Sequence, residues 1–248
     1  MRRSRPSGMP RRNCVLDYMK RQILLSEILA EFIGSMILVM AAIASMIMFT
    51  AVFDAPKGVA VLANAVAVAF TLCALIEMFG RISGAHFNPV VTMVMLLDKK
   101  IATPKALFFV LCQFAGGLVG TMMSNLMFLD EVGALFSVSN NVRNGYVFWG
   151  EVFGTFILVF AILILVKIGS TKISMIIGLL VGGQLLSTSS TMFANPQVTV
   201  ARMFTNTASG IRPVDGVVFI VMQIMGAALA FGVYKIAFVK NKYNVEEK

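Results

Sequence analysis

Charge is scarce in this chain: only 13% of its 248 residues are Asp, Glu, Lys or Arg, about half the 25% of an ordinary soluble domain. Histidine and tryptophan occur once each and cysteine three times, at Cys14, Cys73 and Cys112. Cysteines so far apart offer no metal-ligand spacing, no CxxC redox pair and no disulfide framework. Clustered nucleophile and base, paired carboxylates and a Gly-rich phosphate loop are also missing, so the chain reads as no enzyme, with no cofactor and no metal site. Disorder is excluded by the opposite property. The chain is 58% hydrophobic with mean hydropathy +0.85, whereas disordered chains are poor in apolar residues. An integral membrane protein remains.

The net charge of +9 does not point to nucleic acid, because the basic residues sit at the ends and in short connectors rather than along a folded surface. Six apolar segments are each long enough to cross about 30 Å of hydrocarbon: Ile23–Phe49, Val59–Phe79, Ala106–Phe128, Tyr146–Val166, Ile173–Phe193 and Val214–Phe238. Two others, Asn88–Leu97 and Asn195–Phe204, are too short to span and read as re-entrant half-helices. With six spans both termini share a side, and that side then holds all but four of the 21 Lys and Arg. The exceptions are Lys57, Arg143, Arg202 and Arg212. The positive-inside rule puts both termini in the cytoplasm. The long basic stretch leading into a full span also argues against a cleavable signal peptide.

The chain repeats itself. Glu31-Phe32-Ile33-Gly34-Ser35 lies in the first span and Glu151-Val152-Phe153-Gly154-Thr155 in the fourth. Asn88-Pro89-Val90-Val91-Thr92 starts one half-helix and Asn195-Pro196-Gln197-Val198-Thr199 the other. Each copy holds three spans, an odd number, so the second enters the membrane inverted. The expected organisation is a basic cytoplasmic tail over 1–22, disordered by its Arg, Pro and Ser content, then one domain over 23–240 and a cytoplasmic tail over 241–248. Within the domain, repeat one covers 23–129 and repeat two 145–240. The fold class is all-α membrane protein, six transmembrane helices plus two re-entrant half-helices in an inverted repeat. Such repeats with discontinuous helices place a permeation or binding site at their interface, near midplane.

Asn is a preferred N-cap and Pro suits the first helical position, where its missing N–H costs nothing. Two half-helices entering from opposite faces bring their N-termini together, each with roughly half a positive charge. The Asn88 and Asn195 amides are then free to donate to a passing oxygen while a cation meets a positive barrier. Glu31 and Glu151, in apolar helices, are either a proton relay or acceptors for the orphan N–H groups of the descending loops. Glu77 and Arg81, four apart, read as a helix-end ion pair. Ser187 to Thr191 either lines the outer pore or forms a loop near the vestibule.

At these residues the sequence resembles the aquaporin family, the major intrinsic proteins, over nearly its whole length. Ser83-Gly84-Ala85-His86-Phe87-Asn88-Pro89-Val90-Val91-Thr92 is very close to the first signature loop of that family, and Glu31 and Glu151 match its loop-holding glutamates. The resemblance implies a right-handed six-helix bundle with one pore per subunit, usually a homotetramer in the plasma membrane, passing water or small neutral solutes such as glycerol and urea. Departures are informative. Val90 and Gln197 stand where the two triplets usually end in alanine, and Val198 where a filter arginine is usual. Carried over by spacing, the other filter positions are Val68, Gly183 and Met192. Such a filter is wider and oilier than one built from Arg and His. Arg202, one turn beyond Val198, supplies either a displaced outer charge or a partner for a lipid or loop group. His86 in the signature loop either gates by protonation or makes a structural hydrogen bond at the inner mouth.

The stretch from Thr188 to Arg202, with Gly210-Ile211-Arg212-Pro213, looks like bacterial members associated with arsenic resistance, which suggests undissociated arsenite as cargo. Two competing readings are an ion-coupled carrier of similar architecture, which needs ionisable groups facing the midplane, and a non-conducting structural relative.

Overall fold

The computed structural model describes the backbone of residues 11–239 and the side chains of residues 25–239, and all of its regular structure is helical. In chain order the helices are α1 (Arg11–Ile47), α2 (Lys57–Phe79), α3 (Pro89–Leu97), α4 (Thr103–Met127), the short α5 (Leu129–Val132), α6 (Val147–Lys167), α7 (Ile173–Ser187), α8 (Pro196–Arg202) and α9 (Pro213–Tyr234). No glycine or proline interrupts the sequence between Arg11 and Ile33, and α1 runs unbroken through it. Residues 11–22, expected as disordered tail, are therefore drawn as helix. The rest of that tail, and the tail over 241–248, lie outside the described residues.

Among the described residues, five helices are long and apolar enough to cross a membrane: α1 from Leu25, α2, α4, α6 and α9, with π-helical turns extending α1 to Val52 and α9 to Val239. The sixth, α7, has 15 residues and stops at Ser187 rather than at Phe193. Hydroxyls bond back onto its last turn. Ser187 Oγ donates to Gly183 O at 2.9 Å and Thr188 Oγ1 to Gln184 O at 2.7 Å, giving local partners to side chains that disfavour helix continuation, and Thr188 turns extended. Residues 189–195 then descend without helical structure to Asn195.

The packing follows the repeat. Helix α1 lies on α4 as α6 lies on α9, and α2 meets α7 across the repeat boundary; α3 touches α4 of its own repeat and α9 of the other, and α8 touches α9 of its own repeat and α4 and α1 of the other. Small residues permit the closest crossings. A Cβ on Gly116 would overlap the Phe32 carbonyl oxygen, and one on Gly226 the Val152 carbonyl oxygen, at the matching α1–α4 and α6–α9 contacts. Large apolar side chains such as Leu29, Phe70, Leu107, Phe153 and Leu179 are exposed on the outside, as lipid contact requires. Glu77 does not pair with Arg81: Ser174 Oγ of α7 donates to its Oε2 at 2.7 Å, because the neighbouring helix offers a fixed donor at the end of α2.

Gly116→Leu is expected to force α1 and α4 apart at a cost of about 1–3 kcal/mol or more. The check is a lowered thermal-unfolding midpoint in detergent. An unchanged midpoint contradicts the close approach.

Candidate conduit between the two Asn-Pro helices

The centre of the molecule is built twice from the same parts. Each loop reaches its Asn through left-handed backbone at equivalent positions: Ala85 (φ 51) and Phe87 (φ 48) in the first, Met192 (φ 38) and Ala194 (φ 46) in the second. For non-glycine residues such conformations cost about 1–2 kcal/mol each, so something must hold them. Glu31 does so in the first repeat. It accepts from Ser83 Oγ (2.6 Å), the N–H groups of His86 (2.9 Å) and Phe87 (2.8 Å), and Gln113 Nε2 (2.7 Å). Glu151 accepts from the N–H groups of Phe193 (2.9 Å) and Ala194 (2.8 Å) and from Gln223 Nε2 (2.6 Å). Both carboxylates are fully buried. Of the two roles open to them, the geometry fits the loop-holding one.

The asparagines finish the arrangement. Asn88 and Asn195 are extended N-caps whose side-chain oxygens accept from Val90 N (3.0 Å) and Gln197 N (3.2 Å). Each amide nitrogen donates one hydrogen across the molecular centre, Asn88 Nδ2 to Ala194 O and Asn195 Nδ2 to Phe87 O, both at 2.8 Å. An amide nitrogen has two hydrogens, so one on each asparagine stays free. Both asparagines line a continuous cavity of about 290 Å³, several times the ~30 Å³ that one liquid water occupies. It runs from Ile76, Lys100 and Ile173 at one end, past Asn88 and Asn195, to Leu185, Met192 and Arg202 at the other. Besides the two asparagines, Asn64, His86, Lys100 and Arg202 are the polar side chains on a mostly apolar wall, and no carboxylate lines it.

Of the expected filter residues, Val68, Met192 and Val198 line this cavity and are buried. Gly183 does not. It is exposed, and a Cβ there would meet nothing within 4 Å. Its neighbours explain the misplacement. Gly178 and Gly182 press α7 against Ala69 of α2, which turns Val181 and Leu185 to the lumen and Gly183 away from it. Leu185, two residues further on, is the α7 side chain that lines the cavity there. Pro89, Val90, Pro196 and Gln197 belong to the half-helices but do not line the cavity. Gln197 is buried beside Gly117, and its Nε2 donates to Phe87 O at 3.2 Å, so the residue replacing alanine adds a tie between the two loops.

His86 Nδ1 lies 3.1 Å from Thr92 Oγ1, with its ring edge-on to Phe109. That favours a structural bond at a site that also borders the lumen. Arg202 has contacts on both sides. It lines the cavity, its Nε donates to Ser209 O (2.6 Å) and Oγ (2.9 Å), and its guanidinium lies 3.8 Å from the Phe193 ring centroid. Of the Ser187–Thr191 stretch, Ser187 ends α7 and the rest is loop: Ser189 borders an outer pocket, and Ser190 O and Thr191 Oγ1 accept from Arg143.

Sequence reasoning missed Gln113 and Gln223. Each bridges its glutamate to a half-helix threonine, Gln113 to Thr92 Oγ1 and Gln223 to Thr199 Oγ1, both at 2.9 Å. The available signal was a lone glutamine in the third span and another in the sixth.

Two half-helices joined N-terminus to N-terminus inside an inverted bundle, with a lumen between them, define a class of membrane protein built around re-entrant helices. Residues 18–192 match the major intrinsic protein family, and the chain belongs to that family. It is 36% identical over 207 residues to aquaglyceroporin AqpS of Rhizobium meliloti, covering 83% of this chain and 87% of that one. Aquaporin-4 of Mus musculus is 27% identical over 217 residues, 84% of this chain and 66% of that one. The structure of the aquaglyceroporin from Plasmodium falciparum superposes with a TM-score of 0.62 at 19% identity, covering 86% of this chain and 96% of that one. That likeness bears out the fold.

Glu31→Leu leaves four donors without their acceptor, at about 1–3 kcal/mol each, so little folded protein is expected. Glu31→Gln keeps one acceptor oxygen and is expected to fall between it and the parent chain in unfolding midpoint. A Gln variant as stable as the parent, with solute flux that has lost a pH dependence, contradicts the loop-holding role and favours a relay.

Proposed function

We propose that the protein is a passive channel for small uncharged solutes, with glycerol and water as main cargo and urea or undissociated arsenite as further candidates. The observation that carries this reading is the lumen that passes the amide groups of Asn88 and Asn195, on a mostly apolar wall that holds no carboxylate. Oriented donors at the centre replace hydrogen bonds that a water or hydroxyl oxygen loses on entering, while a mostly apolar wall without a carboxylate offers nothing comparable to a cation. The two short helices add positive potential where their N-termini meet, which disfavours cations.

Selectivity is read from the outer narrows. Val68, Leu185, Met192 and Val198 present no hydrogen-bonding side chain, so a solute is sorted there by size and by how much hydration it must shed. Glycerol and arsenous acid, each with three hydroxyls on a compact neutral frame, suit such an opening better than strongly hydrated ions do. The printed name of the AqpS relative, an aquaglyceroporin, agrees with this choice. A carrier needs ionisable groups exposed to the lumen for coupling. Glu31 and Glu151 are fully buried behind the loops and off the cavity wall, which speaks for the channel. We place the protein in the plasma membrane with both termini cytoplasmic, on the Lys/Arg distribution. A homotetramer is the assembly expected of the family, its partners otherwise being lipid and small neutral solutes, with no nucleic acid.

Stopped-flow swelling of proteoliposomes with water, glycerol, urea and arsenite tests the reading: non-saturating, gradient-driven flux is expected, with glycerol passing readily. Val198→Arg is expected to lower glycerol flux roughly tenfold, a barrier of about 1.4 kcal/mol, and to lower water flux less. Saturating or ion-dependent flux overturns the channel. Unchanged glycerol flux in Val198→Arg overturns the placement of the narrows.

A further inference from the structure

The position usually held by a filter arginine is Val198 here, yet the outer mouth is not short of positive charge. Of the four basic residues on that side, only Arg212 has a carboxylate partner among the described residues, Asp215 Oδ1 at 2.9 Å. Lys57 and Arg143 line the outer vestibule, Arg202 lines the lumen, and no carboxylate lines either space.

Arg143 is held in place with care. It belongs to the non-helical link between the repeats, which is fastened to the segment after α8 along its length. Ser139 N donates to Met203 O at 2.9 Å, Asn141 O accepts from Arg212 N at 2.8 Å, and Arg143 N donates to Asp215 Oδ2 at 2.8 Å. From this anchored backbone the side chain turns inward. Its Nη1 donates to Ser190 O at 3.0 Å, and its guanidinium lies 5.2 Å from the Phe193 ring centroid. Arg202, from α8, approaches the same ring at 3.8 Å. Two guanidinium groups from unrelated parts of the chain thus gather at one lumen-lining aromatic. Arg202 uses only its Nε in hydrogen bonds to described residues.

We propose that Arg143 is a specificity-determining residue of the outer mouth, acting with Arg202 to supply, one turn outside Val198, the positive charge the narrows themselves lack. This rests on the channel reading and deepens it. Division of labour follows from the geometry. The apolar narrows sort neutral solutes by size, and the arginine pair above them repels small cations before they reach the centre. Like charges in a partly desolvated mouth are weakly screened, so each contributes to the barrier a cation meets.

The test uses full-length protein in liposomes, with glycerol swelling and the uptake of methylammonium, a small cation of similar bulk, measured on the same vesicles. Arg143→Gln is expected to raise the ratio of methylammonium uptake to glycerol flux by roughly three- to tenfold. Arg143→Gln with Arg202→Gln is expected to raise it further, and Arg143→Lys to restore the parent ratio. A ratio unmoved in both Gln variants, or equal in Arg143→Lys and Arg143→Gln, overturns the assignment. Parent vesicles that pass neither glycerol nor water overturn the channel reading and this proposal with it, whereas glycerol flux with an unmoved ratio overturns this proposal alone.

Discussion

Two hydrogen bonds across the middle of the molecule, Asn88 Nδ2 to Ala194 O and Asn195 Nδ2 to Phe87 O, are the constraint on which the rest depends. Each asparagine caps its own half-helix with one side-chain atom and grips the opposite loop with another. The two repeats therefore cannot settle independently. Membrane interior offers no water to satisfy loop backbone, so the descending segments exist only because Glu31 and Glu151 accept their N–H groups. Those carboxylates are tolerable in turn because their oxygens meet donors from loop and neighbouring helix alike. Strain at Ala85, Phe87, Met192 and Ala194 is what this network offsets. What it yields is a lumen with one free donor from each side at its centre.

The bundle around this core solves a different problem. Helices with little polar surface gain little from burying apolar faces when lipid is equally apolar, so association depends on shape and on a few polar ties. Glycine at the crossings lets backbones approach, as Gly116 does against Phe32 and Gly226 against Val152. Polar ties bring the remainder: Asn64 Nδ2 donates to Ala42 O at 2.9 Å, and Thr121 Oγ1 of α4 donates to Ala201 O of α8 at 3.0 Å. The second of these locks a half-helix to a long helix and so fixes the depth to which it descends.

Much of this was legible in the chain. Paired Asn-Pro phrases and paired glutamates in apolar helices state a repeat, and an odd number of spans per copy states its inversion. The limits of that legibility have physical causes. Gly183 was placed in the narrows by counting from Val198, but which face of α7 meets the lumen is decided by Gly178 and Gly182 packing on α2, a tertiary fact that spacing does not encode. The end of α7 coincides with hydroxyls that bond back onto its last turn rather than with the fall of hydrophobicity. Arg143 counted only toward topology, because nothing local in a 14-residue non-helical link shows that its backbone is tied to Asp215 at the start of α9 and its side chain to Ser190. Gln113 and Gln223 gain meaning only once their glutamates are seen beside them.

The central claim is that solute passes between α3 and α8, along the wall that Val198 helps form. In a chain with Cys14, Cys73 and Cys112 replaced by serine, single cysteines at Val198 and at Gly183 separate lumen from exterior. A membrane-impermeant thiol reagent added from water is expected to modify Val198→Cys and stop glycerol flux, and to leave flux through Gly183→Cys intact. Flux that survives full modification of Val198→Cys, or that stops equally in both, contradicts a conduit at this place.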